Sequence, residues 1–306
     1  MLKAALLMFS IKSTVACVTA MLITMDSAVM AEEINISLHS DLHNEMQDHS
    51  LIDEPKVISS DKADIFVLAG DIHNGIESIQ YAKSVAKKHN KPVIFIAGNH
   101  EYYGHDLIET EKILRKESSS EENVYFLEKD SIVLNNIRFL GCTLWSNFEL
   151  YEQVIPGSKA FCMAWSEGRI NDFSKITMNN RAISSGDMEN LNQDCMQWLQ
   201  KEFLMPHSGP TVVITHFAPV PDCVDEKWKK EPPEFNELSP YFVNNLTEFI
   251  TTWQPDFWFY GHTHSNICLK IGKTQIISNQ KGYPSEEDST GYRPDMLIKV
   301  NSANAN

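Results

Sequence analysis

The chain has 306 residues, 42% of them apolar and 22% charged, and its 41 acidic side chains outnumber 26 basic ones for a formal net charge of −15. That composition excludes a wholly disordered chain and a small stapled scaffold, and it supplies enough apolar material for a full α/β core. An acidic surface repels phosphate backbones and anionic bilayers, so a protein that coats nucleic acid is a poor fit, and an anionic substrate needs a local source of positive charge.

Residues 1–31 read as a leader apart from the fold. Lys3 and Lys12 precede an apolar run from Ser13 to Met25, and small residues close the segment from Ala28 to Ala31. This is the layout of a secretory signal peptide and implies an exported or periplasmic protein. A second reading is a chain that starts at Met30 and enters its first strand directly, which implies a cytoplasmic one. No run has the 18 or so unbroken apolar residues of a membrane span. Residues 32–306 are expected to form one domain.

Three short apolar runs end in polar tips: Ile34 to Leu38 before Asp41, Ile65 to Ala69 before Gly70 and Asp71, and Val93 to Ala97 before Gly98, Asn99 and His100. Between the second and third, Ile76, Ile79, Ala82, Val85 and Ala86 share one face of a helix over 76–89. Strand, helix, strand at that spacing is a βαβ unit of a parallel sheet, whose strands' carboxyl ends gather on one rim. Polar residues 118–123 read as a loop, and 149–185 as an irregular insertion. Further strands are expected at 137–144, 211–215, 256–260, 267–271, 274–278 and 296–300, with helices at 187–203 and 240–253. The six cysteines, scattered and without a C-x-x-C pair, read as single buried thiols, which leans against an oxidising compartment.

Of the 11 histidines, five stand at strand tips beside Asp, Asn or Gly: His43, His100, His216, His262 and His264. Asp41 and His43 are two residues apart, so an extended backbone directs both to one side, and His262 and His264 repeat that spacing. Imidazole nitrogens, carboxylates and one amide oxygen form a donor set that suits manganese, iron, zinc or cobalt. His39, His49, His89 and His207 lack such companions and read as surface or turn residues. His73 and His105 lie near the tips and are candidates for the pocket wall.

In this order, Ser40-Asp41-Leu42-His43, Gly70-Asp71, Gly98-Asn99-His100-Glu101, Thr215-His216 and Gly261-His262-Thr263-His264 resemble the five blocks of calcineurin-like metallophosphoesterases. The resemblance runs from about Ile34 to Val300. It implies a four-layer α-β-β-α sandwich and a centre of two divalent transition-metal ions. Asp41, His43 and His264 would hold one ion, Asn99, His216 and His262 the other, and Asp71 would bridge both. His100 would lie near the leaving-group oxygen and donate a proton to it or steady the charge that develops there. A hydroxide shared by the ions would attack phosphorus in line.

The chain departs from known branches at telling places. Where Ser/Thr phosphoprotein phosphatases carry an Asp that orients the catalytic His, then an Arg, and another Arg before the Gly-Asn-His-Glu block, this chain has Asn74, Gly75 and Ala97. Purple acid phosphatases place a metal-binding Tyr at the Asn74 position, and the lipid A diphosphatase branch lacks the His in its third block. The resemblance therefore points to the small bacterial-type phosphoesterases and to a small phosphomonoester or phosphodiester substrate. A nuclease or cyclic nucleotide phosphodiesterase of the same fold, and a metal-binding scaffold without activity, are the alternatives. Tyr102, Tyr103, Trp145 and Phe217 would either stack on a leaving group or pack under loops. Arg169, Arg181 and Lys281 are the candidates for a second phosphate contact, against a reading as solvated surface charges.

Overall fold

In chain order the strands are β1 (Glu33–His39), β2 (Ile65–Ala69), β3 (Val93–Ile96), β4 (Val124–Phe126), β5 (Asp130–Leu134), β6 (Ile137–Cys142), β7 (Thr177–Met178), β8 (Arg181–Ala182), β9 (Thr211–Thr215), β10 (Phe257–Tyr260), β11 (Cys268–Ile271), β12 (Thr274–Ser278) and β13 (Leu297–Asn301). The helices are α1 (Gly75–His89), α2 (Leu107–Ser118), α3 (Ser158–Glu167), α4 (Asp172–Lys175), α5 (Ser185–Leu204), α6 (Ser239–Phe242) and α7 (Thr247–Trp253). The computed structural model describes residues 32–47, 58, 60–230, 234–286 and 289–303. The leader, with the choice between its two readings, lies outside the described residues, as does His49.

One sheet has the order β13-β1-β2-β3-β4 and the other β11-β12-β10-β9-β6-β5. In each, four adjacent strands run parallel; an antiparallel β13 closes one edge of the first sheet, whose other edge is β4, and antiparallel β11 and β5 close the second. Alternation along the strands sets the layers. Ile34, Ile36 and Leu38 of β1 and Ile65, Val67 and Ala69 of β2 meet Val212, Ile214, Phe257 and Phe259 of the other sheet in a dry central core. Phe66 and Leu68 face the opposite way and bury Ile79, Ala82 and Val85 of α1 with Leu107 and Leu114 of α2. On the far side Val213, Trp258 and Tyr260 pack against Leu199 of α5 and Ile250 of α7. This is the expected four-layer α-β-β-α sandwich. Each apolar side chain fully buried in these layers contributes roughly 1.5–3 kcal/mol.

The strands expected from the sequence are present to within a residue or two, and α1 and α5 match their expected helices. The segment read as an irregular insertion contains α3, whose buried face is built from Ser158, Cys162 and Ser166 and so carries little apolar signal. The single helix expected over 240–253 is broken into α6 and α7. Between them Asn244 and Leu246 donate their backbone N–H groups to Ala218 and Pro219, and Val243 bridges Ala218. Helix α2, with Asp106 as its N-cap, is not among the expected elements, since the exposed Ile113 blurs its apolar face.

Two expectations are overturned. Cys142 and Cys195 form a disulfide, because α5 lies across the outer face of its sheet and sets Cys195 over the end of β6; Cys162 and Cys223 are buried thiols and Cys268 is an exposed one. His39 is fully buried rather than a surface residue, with Ser37 Oγ 2.8 Å from its Nε2 and Tyr292 Oη 2.7 Å from its Nδ1. Burial pushes its imidazole down to about 3.

Candidate metal centre

The two sheets present their carboxyl rims at the same end, and backbone hydrogen bonds stitch the tips together. Asp41 N–H donates to Gly70, His43 N–H to Asp71, Gly261 N–H to His216 and Gly282 N–H to Asp41. Beyond these strand ends Asp41, His43, Asp71, His262 and His264 all adopt left-handed backbone conformations, with φ of 53°, 45°, 55°, 72° and 49°. Such conformations are costly for side-chain-bearing residues and concentrate where function fixes them.

All eight residues singled out in the sequence converge here. The donor atoms of the seven Asp and His residues among them fall into three overlapping groups: Asp41, His43 and His264; His43, Asp71 and His100; and Asp71, His216 and His262. Asp71 Oδ2 stands 3.8 Å from His43 Nε2 and 3.3 Å from His216 Nε2, so one carboxylate oxygen serves both outer groups. His43 Nε2 and His264 Nε2 are only 3.1 Å apart. Asn99 Oδ1 is 3.2 Å from His216 Nε2. Asp41 Oδ2 and His262 Nε2 are buried and have no hydrogen-bond partner.

These orphaned atoms test whether cations fit. A buried polar atom without a partner is costly, and two close imidazole nitrogens repel unless a proton or a metal lies between them. Burial pulls His216 down, but the Asp71 carboxylate outweighs it and holds the ring up at about 9; burial likewise opposes His264, which hydrogen bonds to Asp41 and Glu286 raise to about 10. Burial alone would lift Asp71, yet His216 and His100 hold it well below the usual carboxylate range. Metal and proton compete for the same lone pairs, so the donor set fits divalent cations.

The outer nitrogen of most of these rings is already committed. Glu286 Oε2 lies 2.6 Å from His264 Nδ1, Glu45 Oε1 3.1 Å from His43 Nδ1, and the Ala69 carbonyl 2.9 Å from His216 Nδ1. Each leaves Nε2 to face the centre, the arrangement that orients metal-binding histidines. Asn99 is aimed in the same way: its Nδ2 donates to Asp172 Oδ1 at 3.0 Å, which turns Oδ1 toward His216. Asp172 is fully buried and also accepts from the hydroxyls of Tyr103 and Tyr241. Glu101 accepts the N–H groups of Asp71, Ile72 and Gly98, fastening two of the tip loops to one carboxylate.

The centre forms the floor of a cleft of about 730 Å³ whose walls include Tyr103, Arg169, Trp228, Asn236, Tyr241, Phe242 and Tyr283. Of the aromatic candidates, Tyr102, Trp145 and Phe217 pack beneath the loops and Tyr103 alone lines the cleft, stacked on His100 at 4.1 Å. Arg169 reaches the wall, resting over Trp165, whereas Arg181 is paired with Asp187 on the surface. His73, His105 and Lys281 are not in the wall. Sequence reasoning misses Glu45 and Glu286 and gives Asp172 and Tyr283 no role in the centre. Of the two missed, Glu45 has a local signal, since Asp41, His43 and Glu45 alternate along the chain.

The calcineurin-like phosphoesterase family model matches residues 35–266. An uncharacterized protein of Acanthamoeba polyphaga mimivirus is 28% identical over 283 residues, 85% of this chain and 95% of its own. The solved structure of phosphopantetheinyl hydrolase from Mycobacterium tuberculosis superposes with a TM-score of 0.67 at 16% identity, covering 88% of this chain and 96% of that one, a likeness of fold.

Proposed function

The chain belongs to the calcineurin-like phosphoesterase family and is a metal-dependent phosphoesterase; we propose that it hydrolyses a small phosphomonoester or phosphodiester with two divalent cations. Asp41, His43 and His264 would hold one cation, Asn99, His216 and His262 the other, with Asp71 shared. The observation that carries this reading is the Asp71 oxygen placed between two histidine groups. Two such cations supply positive charge to the phosphoryl oxygens and lower the pKa of an attacking water. A donor set of nitrogen and oxygen without sulfur suits manganese, iron, zinc or cobalt.

His100 is the proton donor to the leaving oxygen. Its Nδ1 is held by Glu45 and its Nε2 faces the cleft, 3.4 Å from the Tyr283 hydroxyl. Burial opposes its protonation, but Asp71 and Glu45 raise its pKa above the ordinary imidazole value, the direction a proton donor needs. A cleft of this volume admits a small molecule. Around it Lys227 and Lys229 are paired with Asp225 and Glu226, and Asp222 and Glu286 add further negative charge, so among the described residues the rim offers no basic stripe for a long polyanion, which weighs against the nuclease alternative. The Cys142–Cys195 disulfide supports export, the first of the two leader readings.

Purified protein should carry about two transition-metal ions per chain and hydrolyse p-nitrophenyl phosphate or its bis ester. A panel of nucleotides and cyclic nucleotides then narrows the substrate. Fully loaded protein that turns over none of these would overturn the reading in favour of the scaffold. A mature N-terminus at Glu32 would support export, and one at Met30 or Ala31 the second leader reading.

A further inference from the structure

The segment after His43 makes a short 3-10 turn, Asn44–Met46, and Glu45 on that turn points back into the centre. Its Oε1 lies 2.8 Å from Nδ1 of His100, which comes from a different strand tip 55 residues away. The His100 ring is nearly inaccessible, and its other contacts fix it in the same pose. Asp71 Oδ1 accepts its backbone N–H, Asn74 Nδ2 donates to its carbonyl, and Tyr103 stacks on its face. With Nδ1–H given to a carboxylate, Nε2 is the nitrogen that faces the cleft. Without that acceptor nothing on the Nδ1 side distinguishes one tautomer or ring flip from the other.

We propose that Glu45 is the positioning residue of His100: it accepts the Nδ1–H of the imidazolium and so aims Nε2–H at the leaving oxygen, which takes that proton and leaves the ring as its neutral Nδ1–H tautomer. The inference rests on the reading of His100 as proton donor, and it gives the Asp41-x-His43-x-Glu45 segment two tasks. Its first two residues reach the cations, and its third reaches the catalytic imidazole. The same Oε1 is 3.1 Å from His43 Nδ1, so a role confined to His43 is the rival account.

Two measurements decide. In histidine-selective ¹⁵N NMR spectra the His100 Nδ1 proton, assigned by its loss in His100→Asn, should appear strongly downfield in wild type and vanish in Glu45→Ala. Its absence from wild type, or its survival in Glu45→Ala, overturns the proposal, and neither result depends on turnover. In the manganese-loaded enzyme Glu45→Ala should lower kcat about 10- to 100-fold on phenyl phosphate, with KM little changed. The loss should be smaller on p-nitrophenyl phosphate, whose leaving oxygen needs less protonation, and Glu45→Gln, which keeps an acceptor oxygen, should recover part of it. Equal losses on both esters, or full recovery with excess manganese, would assign Glu45 to His43 alone and overturn the proposal. Loaded wild type that hydrolyses no ester would instead sink the proposed function, while the NMR result still decides the question about Glu45.

Discussion

A single methyl group at Gly98 should dismantle the metal centre. A Cβ built there lies 2.2 Å from Asp71 Oδ1 and 2.6 Å from His216 Nε2, where ordinary contact begins at 3.4 Å. Both groups would have to retreat by about 1 Å, several times the roughly 0.2 Å that ligand distances tolerate. Neither is free to do so. Asp71 Oδ1 is engaged by the His100 N–H, His216 is fixed at Nδ1 by the Ala69 carbonyl, and Gly98 itself is tied to Glu101 at 2.6 Å. Gly98→Ala should therefore lose most of its metal and its hydrolysis, and the metal-free protein should be destabilised by about 1–3 kcal/mol from overpacking. Gly104→Ala is the control. Gly104 has φ of +80° but no atom within 4 Å of the built Cβ, so that variant should lose about 1 kcal/mol by backbone strain yet keep both ions. Metal analysis and thermal unfolding of the two variants measure this. A Gly98→Ala protein that retains about two ions per chain and full turnover would refute the placement of Asp71 and His216 as ligands.

Asp172→Ala frees the Asn99 amide to rotate and should weaken the cation held by Asn99, His216 and His262 about 10- to 100-fold, read as a shift in the manganese dependence of hydrolysis. Cys142→Ser opens a loop of 53 residues and should cost up to about 4 kcal/mol in denaturant unfolding. Peptide mapping without reductant should recover Cys142 joined to Cys195, and native alkylation should label Cys268 before Cys162 or Cys223. Asp187 completes the capping box of α5, whose N-cap is Ser184, and the hydrogen bonds it accepts from Arg181 and then Ser184 hold its carboxyl below the usual range. A depressed carboxyl stabilises above the unfolded value near 4, and that contribution fades as pH falls through the folded one. Asp187→Asn should thus cost roughly 1 kcal/mol in urea unfolding at pH 7, and its difference from wild type should shrink at pH 3. An equal difference at both pH values would refute the assignment.

How much of this was legible in the sequence follows from how local each signal is. Parallel strands buried on both faces are short apolar runs, and their chemistry sits at their carboxyl ends, so Asp41, Asp71, His100, His216 and His262 could be found by reading the tips in turn. Pairings that depend on how layers stack leave no such trace. Cys142 meets Cys195 only because α5 crosses that sheet, Asp172 reaches Asn99 from a four-residue helix, and Tyr283 reaches His43 and His100 from the segment after β12. Glu45 is the instructive case. Sequence comparison looks for a carboxylate partner of His100 in the loop after Asp71, finds Asn74 there, and counts the partner as missing. In the structure Asn74 holds the His100 carbonyl instead, and the carboxylate comes from the first tip. The ring needs an acceptor at Nδ1 at that point in space, and the rim gathers several loops around it. Which loop supplies the acceptor is decided by geometry, so the absence of a residue from one motif position is weak evidence that the interaction itself is absent.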